Sequence, residues 1–371
     1  MNVRERYLAA LRGEPVDRVP LRLEGFTAPA RSELAKIDDP VRREIAERAF
    51  DHVPAFIGRD TFVNRHLVTP PRFIRKVREE DRSDGVYTTT EITTPKGTLT
   101  YVDAVKTGVL TNWNVKYPVN SREDLDALCS IPWELPHGLG PARRVGIEWE
   151  TVAHNVHQIH VSTPMVCVAG AMPFQMFLEL CASDLPLVEE LTALCEERIM
   201  RILDVALEGD EVDQVWIGGS EWLTPPMASP KLYDLLVFPQ ETRIIERAHR
   251  SGAVVQVHCH GNVAGVLDRI IESGANFLEP MEPPPDGDIT FADAKRRAAG
   301  RIALGGNVEA RVLEHGDTPE VERASRAAFE GGGHRMVFKT TAGPIMRMDE
   351  RARKNYHTML DVWEELSPEV A

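Results

Sequence analysis

The sequence predicts an α/β protein, a (β/α)8 TIM barrel that carries an antiparallel β-hairpin insertion near residues 86–117. From about residue 210 onward, short apolar runs alternate with amphipathic helical patterns, which is typical of parallel strands joined by crossover helices. Earlier apolar runs bring the number of candidate strands to eight, the number that closes a barrel. The interval 86–117 breaks this rhythm, because it is rich in Thr, Val and Tyr and contains a Pro-Lys-Gly turn. We therefore predict one domain that spans residues 1–371.

Each candidate strand is a short apolar run. The early ones are "VPLRLEG" (19–25), "HVPAFIG" (52–58) and "PMVCVAG" (164–170). The later ones are "DQVWIGG" (213–219), "AVVQVHCHG" (253–261), "ANFLEP" (275–280), "RIALGGN" (301–307) and "HRMVFKT" (334–340). Helices are predicted from Ser229-Pro230 to Ser251, from Val263 to Ser273, from Phe291 to Ala299, from Thr318-Pro319 onward and as a last helix to Leu366.

Composition excludes several classes of partner. The net charge is −14 with dispersed basic residues, which argues against a nucleic-acid-binding protein. No apolar run reaches the roughly 18 residues of a membrane span, and the N-terminal stretch is an amphipathic helix pattern rather than a secretion signal. Five scattered cysteines with no CxxC pair suit reduced thiols. We expect a cytoplasmic protein.

A metal site is predicted where the strand "AVVQVHCHG" ends. Alternate side chains of a strand share a face, so Gln256, His258 and His260 point one way and Cys259 points the other. In a barrel the polar set faces the axis, at the rim where barrel enzymes keep their active sites. Two imidazoles there can bind a divalent metal such as zinc. The alternative is that both rings are satisfied by hydrogen bonds or bind a substrate carboxylate.

The next candidate strand, "ANFLEP", offers a third metal ligand. Its Glu279 would place a carboxylate beside the two imidazoles, which completes the open three-ligand set of catalytic zinc sites. A rim carboxylate paired with an arginine is the alternative for Glu279. Glu282, among four prolines, is interpreted as a loop residue.

Three further residues at strand ends are candidate catalytic groups. Glu221 could bind the metal or accept a proton, Lys339 could hold an anion or donate a proton, and Asn307 could orient the substrate. For Lys339 an ion pair with a neighbouring carboxylate is the alternative. His334 precedes its strand and is assigned to the opposite, structural face.

Several stretches together resemble the uroporphyrinogen decarboxylase superfamily, and within it the branch of the methylcobalamin:coenzyme M methyltransferases and related corrinoid-dependent enzymes. These stretches are "RERYLAALRGEPVDRVPL", "TPKGTL", "YPVNSREDLDAL", "ASPKLYDLLVFPQETRIIERAHRSGAVVQVHCHGN" and "IALGGNVEARVLEHGDTPEV". The resemblance implies a barrel whose zinc ion is held by a His-x-Cys pair at this strand end and by a cysteine after the last strand. A corrinoid carried by a separate protein supplies or takes the methyl group.

The chain departs from that pattern at two of the three ligands. His258 matches the first ligand, His260 stands where the family has cysteine, and no cysteine occurs near Thr341–Ala342. Zinc with fewer thiolates is a stronger Lewis acid, so we expect an oxygen or nitrogen methyl donor rather than a thiol.

The predicted function is zinc-dependent methyl transfer between a small molecule and methylcobalamin or another corrinoid on a partner protein. A uroporphyrinogen decarboxylase or another lyase is one alternative, although the paired arginines of that enzyme are not matched by Arg22 and Arg31. A non-catalytic partner of a corrinoid protein that has lost its metal is the other. The insertion is interpreted either as a lid over the barrel mouth or as a surface hairpin.

Overall fold

A computed structural model of the chain describes residues 1–109, 112–144, 149–209 and 211–367. The strands are β1 (Leu21–Arg22), β2 (Ala55–Arg59), β3 (Ile74–Arg82), β4 (Gly85–Thr94), β5 (Gly97–Lys106), β6 (Asn112–Lys116), β7 (Asn155–Ser162), β8 (Gln214–Gly218), β9 (Val254–His258), β10 (Phe277–Glu279), β11 (Ala303–Val308) and β12 (Met336–Thr340). The helices are α1 (Val3–Arg12), α2 (Pro40–Ala49), α3 (Arg122–Cys129), α4 (Trp149–Val152), α5 (Pro164–Ala169), α6 (Phe174–Ser183), α7 (Leu185–Ala206), α8 (Pro230–Leu236), α9 (Phe238–His249), α10 (Leu267–Glu272), α11 (Phe291–Ala298), α12 (Ala310–His315), α13 (Thr318–Ala328) and α14 (Glu350–Leu366).

Eight of these strands form one parallel sheet in the order β2-β7-β8-β9-β10-β11-β12-β1. Each of β2 and β7 to β11 pairs with the next barrel strand in the chain, and β12 pairs with the first strand, β1, so the sheet curls round on itself. Helices separate the strands from β7 onward. The predicted (β/α)8 barrel is confirmed. None of the helices in the described ranges has the length and apolar character that crossing a bilayer requires.

The predicted strand 164–170 is wrong, because this segment forms α5. Thr163 accepts a hydrogen bond from the backbone N–H of Val166, and Pro164 occupies the first helical position, which together start a helix. The barrel strand is β7, just before it, with the sequence "NVHQIHVS". Its Gln and His side chains interrupt the apolar run, so the sequence analysis did not recognise it.

The helix predicted from Ser229 to Ser251 is divided into α8 and α9 at Val237. Pro239 near the start of α9 lacks an N–H and cannot continue a preceding helix. The helices predicted at residues 291 and 318 begin where expected, as α11 and α13. The side chains of Thr290 and Asp317 cap them by accepting backbone N–H groups.

The insertion is a four-stranded antiparallel sheet in the order β3-β4-β5-β6. It begins at Ile74, earlier than the predicted residue 86. The strand β3 was not predicted because it is charged, largely exposed and shows no apolar alternation. Ile92 of β4 and Leu99 of β5 belong to the main hydrophobic core. The sheet is therefore anchored to the barrel by its apolar face.

Helix α1 closes the end of the barrel at which the strands begin. Its Tyr7 packs edge-on against Phe56 and Phe277, and Leu8 and Leu11 belong to the same buried cluster as the first residues of several strands. Large apolar side chains fill this end, as in other barrels with a packed interior. The open end is therefore the opposite one, where the strands finish.

Candidate active site

A cavity of about 480 Å³ opens at the C-terminal ends of the barrel strands. We call it the mouth cavity. Its lining residues come from β1, β2, β7, β8, β9, β10 and β12 and the segments that follow them: Arg22, Glu24, Thr27, Phe56, Gln158, His160, Trp216, His258, His260, Glu279, Lys339, Thr341, Ala342 and Gly343. Barrel enzymes bind their substrates at this end.

His258 and His260 lie together at the wall of the mouth cavity. Their ring centroids are 4.5 Å apart and the rings are nearly perpendicular, at 86°. The Nδ1 atom of His258 lies 2.7 Å from Glu279 Oε1, and the Nδ1 atom of His260 lies 2.7 Å from Glu282 Oε1. When a ring is neutral and its Nδ1 donates to the carboxylate, its Nε2 carries a lone pair, and neither Nε2 has a hydrogen-bond partner among the described residues.

Glu279 is the centre of a buried charge network. Its Oε2 lies 2.5 Å from the Lys339 ammonium, and its Oε1 accepts hydrogen bonds from Gln256 and His258. Glu279 is 1 % exposed and Lys339 is fully buried. Burial alone would raise the pKa of Glu279, but the charges of Lys339, His258 and Arg22 hold it well below its usual value. Glu279 is therefore an anion at neutral pH.

Three glutamines connect this network to the neighbouring strands. Gln214 of β8 donates to Gln158 of β7 and to Gln256 of β9, and Gln256 in turn donates to Glu279. Arg22 donates to Gln256 at 2.8 Å and pairs with Glu24 at 2.7 Å. Because buried polar groups are costly unless they are hydrogen-bonded, this series of hydrogen bonds fixes the orientation of each side chain in it. His258 is thereby held through Glu279.

Aromatic rings line the mouth cavity on the same strands as two of the glutamines, β7 and β8. The Trp216 ring stacks on His160 with centroids 5.0 Å apart, and its centroid is also 5.0 Å from that of His258. Burial and the charge of Arg22 lower the pKa of His160, so this imidazole is neutral at pH 7. Trp216 and His160 thus offer flat apolar faces to a ligand beside the polar ones.

Carboxylates behind the histidines raise the proton affinity of His260. Burial disfavours the imidazolium, but the hydrogen bond and charge of Glu282 and the charges of Glu221 and Glu279 outweigh it and raise the pKa of His260. Cys259 points away and is fully buried, as predicted, and burial raises the pKa of its thiol well above the usual value. Glu241 of α9 lies behind the same strand ends and accepts from Ser220 at 2.6 Å.

Replacing Glu282 by Gln is expected to lower the pKa of His260, because burial then dominates. In the parent, the pKa of His260 is higher in the folded than in the unfolded state. The protonated ring therefore stabilises the fold at pH values below the unfolded-state pKa, and this stabilisation is lost as pH rises through the folded-state pKa. NMR titration of the imidazole ring protons measures the change. Glu272→Gln, on the surface of α10, is the control. An unchanged His260 titration would mean that Glu282 does not hold the ring.

The imidazole pair suits a metal ion in one respect. Imidazoles that bind a metal through one nitrogen usually donate the other N–H to a carboxylate or a carbonyl, and both rings do so here. The third ligand differs from the expectation. Glu279 lies at the Nδ1 edge of His258 and is held by Lys339, so it cannot share an ion bound at Nε2 unless these contacts break. Within the described ranges no three His, Cys, Asp or Glu side chains are grouped to hold a metal.

The other predicted residues are only partly assembled at the mouth cavity. Lys339 lines it but is paired with Glu279, the alternative given above. Asn307 is buried opposite Lys339 in the sheet and does not line the cavity. Glu221 also lies outside the lining, and its Oε2 is buried with no partner in the described part of the chain.

Sequence analysis missed several residues of the site. Glu282, interpreted as a loop residue, holds His260. His160 lies on the strand that was not predicted, and Trp216 lies in a predicted strand but was assigned no role. Trp216 is two residues from Gln214 on β8, so the two side chains share a face, and this spacing could have placed the Trp216 ring on the inward face. His334 is exposed at the opposite end, as expected.

Comparison with known proteins identifies the family. The family model described as uroporphyrinogen decarboxylase (URO-D) matches residues 158–362, which is more than half of the chain. The chain belongs to the uroporphyrinogen decarboxylase family. The matched range includes both histidines, Glu279 and Lys339. The family resemblance noted from the sequence is thereby confirmed.

Solved structures support the fold. A methyltransferase from Methanosarcina mazei is 15 % identical, with a TM-score of 0.60 over 98 % of this chain and 99 % of that chain. This likeness shows the shared barrel. A B12-independent methionine synthase from a Shewanella species is 10 % identical over 79 % of this chain and 75 % of that chain, with a TM-score of 0.39 that carries no argument. No curated protein matches the chain.

Proposed function

We propose that the chain is a methyltransferase that moves a methyl group between a small molecule and a corrinoid carried by a partner protein. The observation that carries the proposal is the His258–His260 pair at the mouth cavity, with each Nδ1 on a carboxylate and each Nε2 left for a ligand. Family membership and the barrel shared with a methyltransferase are consistent with it.

The protein's own groups would position the reactants. His258 and His260 would hold a zinc ion through Nε2, and zinc would supply Lewis-acid polarisation of the substrate heteroatom. Glu279 and Lys339 fix the His258 ring and its tautomer, and Glu282 does the same for His260. Trp216 and His160 supply flat faces against which a substrate ring can pack.

The test combines metal analysis with a transfer assay on the full chain. Protein purified without chelator is assayed for zinc, and methylcobalamin is incubated with it and with thiol, amine or phenol acceptors. We expect about one zinc per chain and demethylation of methylcobalamin that requires the protein. A metal-free protein would refute the proposed zinc site, and the absence of methyl transfer with every acceptor would refute the methyltransferase proposal.

Decarboxylation of uroporphyrinogen is the second candidate, since Arg22 and Lys339 are cations that line the mouth cavity and cations bind carboxylates. Both are already paired, Arg22 with Glu24 and Lys339 with Glu279, which makes them poor clamps for further carboxylates. Incubation with uroporphyrinogen and analysis for coproporphyrinogen separates the two functions. We expect no product.

A further inference from the structure

A carboxyl group with no assigned role lies beside the mouth cavity. Glu309 follows β11 and is 9 % exposed. One of its oxygens, Oε2, lies 3.1 Å from Thr341 Oγ1, and the other, Oε1, is buried without a partner in the described part of the chain. An unpaired buried carboxylate oxygen is costly, which favours the neutral acid.

The charges around Glu309 act in the same direction. Burial raises its pKa to about 7, and Glu282 adds to the rise, whereas Thr341 and Arg311 lower it. Glu282 and Asp286 come from the segment after β10, and Arg311 of α12 is paired with Asp286 at 2.7 Å. No cation among these neighbours is free to hold Glu309 as an anion.

Thr341 connects this acid to the mouth cavity. Thr341 lines the cavity, and its Oγ1 accepts the backbone N–H of Ala310 at 3.1 Å. A hydroxyl has two acceptor lone pairs and one proton. When Glu309 is protonated and donates to Oγ1, both lone pairs are used. The Thr341 proton is then available to an acceptor in the cavity.

We propose that Thr341 and Glu309 form a proton-donating pair that protonates a substrate oxygen in the mouth cavity, which makes oxygen-bound methyl groups the substrate class. The substrate class rests on the proposed function, whereas the donor pair does not. Thr341 is the residue that touches the substrate. Glu309 orients the Thr341 hydroxyl and returns a proton to it.

The proton and electron balance of the step is closed. In the transfer, the C–O bond of the methyl donor would break as its carbon bonds to a nucleophilic methyl acceptor, which brings the electron pair of the new bond. The oxygen keeps the bonding electron pair and takes the proton of Thr341 Oγ1, and Thr341 takes the proton of Glu309. Glu309 is left as a carboxylate and regains a proton from water.

Binding of 4-nitroanisole, an aryl methyl ether without a titratable group, to the full chain tests the donor pair without methyl transfer, because its ether oxygen can only accept a hydrogen bond. We expect Thr341→Val to weaken binding about tenfold or more, whereas Thr341→Ser keeps the parental behaviour. Thr340→Val, a matched change on the buried other side of β12, is the control. Equal binding by the Val and Ser variants, or no binding by the parent, would overturn the proposal.

The pH dependence separates proton supply from a structural role. In the parent, affinity should fall as pH rises through about 7, because the Glu309 carboxylate turns the Thr341 proton toward itself. In Glu309→Gln the amide donates to Thr341 at every pH, so the decline should disappear. A decline that persists in this variant would refute the role of Glu309. If the probe results hold but no methyl transfer occurs, the proposed function fails and the donor pair stands.

Discussion

Replacing Lys339 by Met is expected to lower the free energy of unfolding by about 3–5 kcal/mol, because it leaves Glu279 buried without its counter-ion. Lys339 is fully buried, and its ammonium lies 2.5 Å from a carboxylate that is 1 % exposed. Urea denaturation followed by circular dichroism measures the change. Lys354→Met on the exposed side of α14 is the control, and its effect should stay within about 0.5 kcal/mol.

A double variant shows whether the cost arises from the unpaired charge. Glu279→Gln removes the anion while its amide oxygen still accepts from His258, so Lys339→Met with Glu279→Gln should recover most of the lost stability. If the double variant is as unstable as the single one, packing of the lysine stem is the cause instead. A loss below about 1 kcal/mol in Lys339→Met would contradict the buried pair.

The same pair predicts a pH dependence. The pKa of Glu279 is lower in the fold than its ordinary value of 4.5, so its contribution to stability is present above pH 4.5 and is lost as pH falls toward the folded-state pKa. Without Lys339, burial raises the pKa of Glu279, so this carboxylate takes up a proton more readily. The difference in stability between parent and variant should therefore be smaller at pH 4 than at pH 7.

Under the proposed function, replacing His258 or His260 by Ala is expected to abolish zinc binding and to slow methyl transfer by more than 10²-fold. Loss of a residue that only orients a metal ligand costs about 10–100-fold in affinity or activity, and loss of the ligand itself should cost more. Zinc content and the rate of methylcobalamin demethylation are the two measurements. His334→Ala, exposed at the opposite end of the barrel, should match the parent in both.

A third variant separates metal binding from ring packing. His260→Cys introduces the cysteine that the family resemblance implies at this position, so under the proposed function it should keep zinc and favour thiol acceptors. Zinc that persists in both alanine variants would show that the metal is bound elsewhere. Activity that survives in all three variants without zinc would show that the imidazoles serve only as hydrogen-bonding groups.

Periodicity predicted the barrel because its signal is repeated. Seven of the eight barrel strands were located, since a buried parallel strand reads as an apolar run. The exception, β7, carries His157, Gln158 and His160, and two of these side chains belong to the polar interior of the mouth. A strand that carries several polar side chains close together is thus harder to recognise from hydropathy than an apolar one.

The site was predicted less completely because its partners lie on different strands. Strand alternation put His258 and His260 on one face, but the register that brings Glu279 beside His258 depends on the assembled sheet. The same holds for Lys339, whose partner is sixty positions earlier in the chain. Pairing between side chains on different strands leaves no periodic signal in the sequence.

The neighbourhood of β1 constrains how the protein can be made. Leu21 and Arg22 pair with Phe338 and Lys339, and α1 contacts β9, β11 and β12. Residues 21–22 therefore cannot form their pairs in the barrel until β12 has been synthesised. Such distant pairing is slow, and it leaves early apolar surface exposed in the meantime. Ring closure is consequently a late event, completed only after synthesis has passed Thr340.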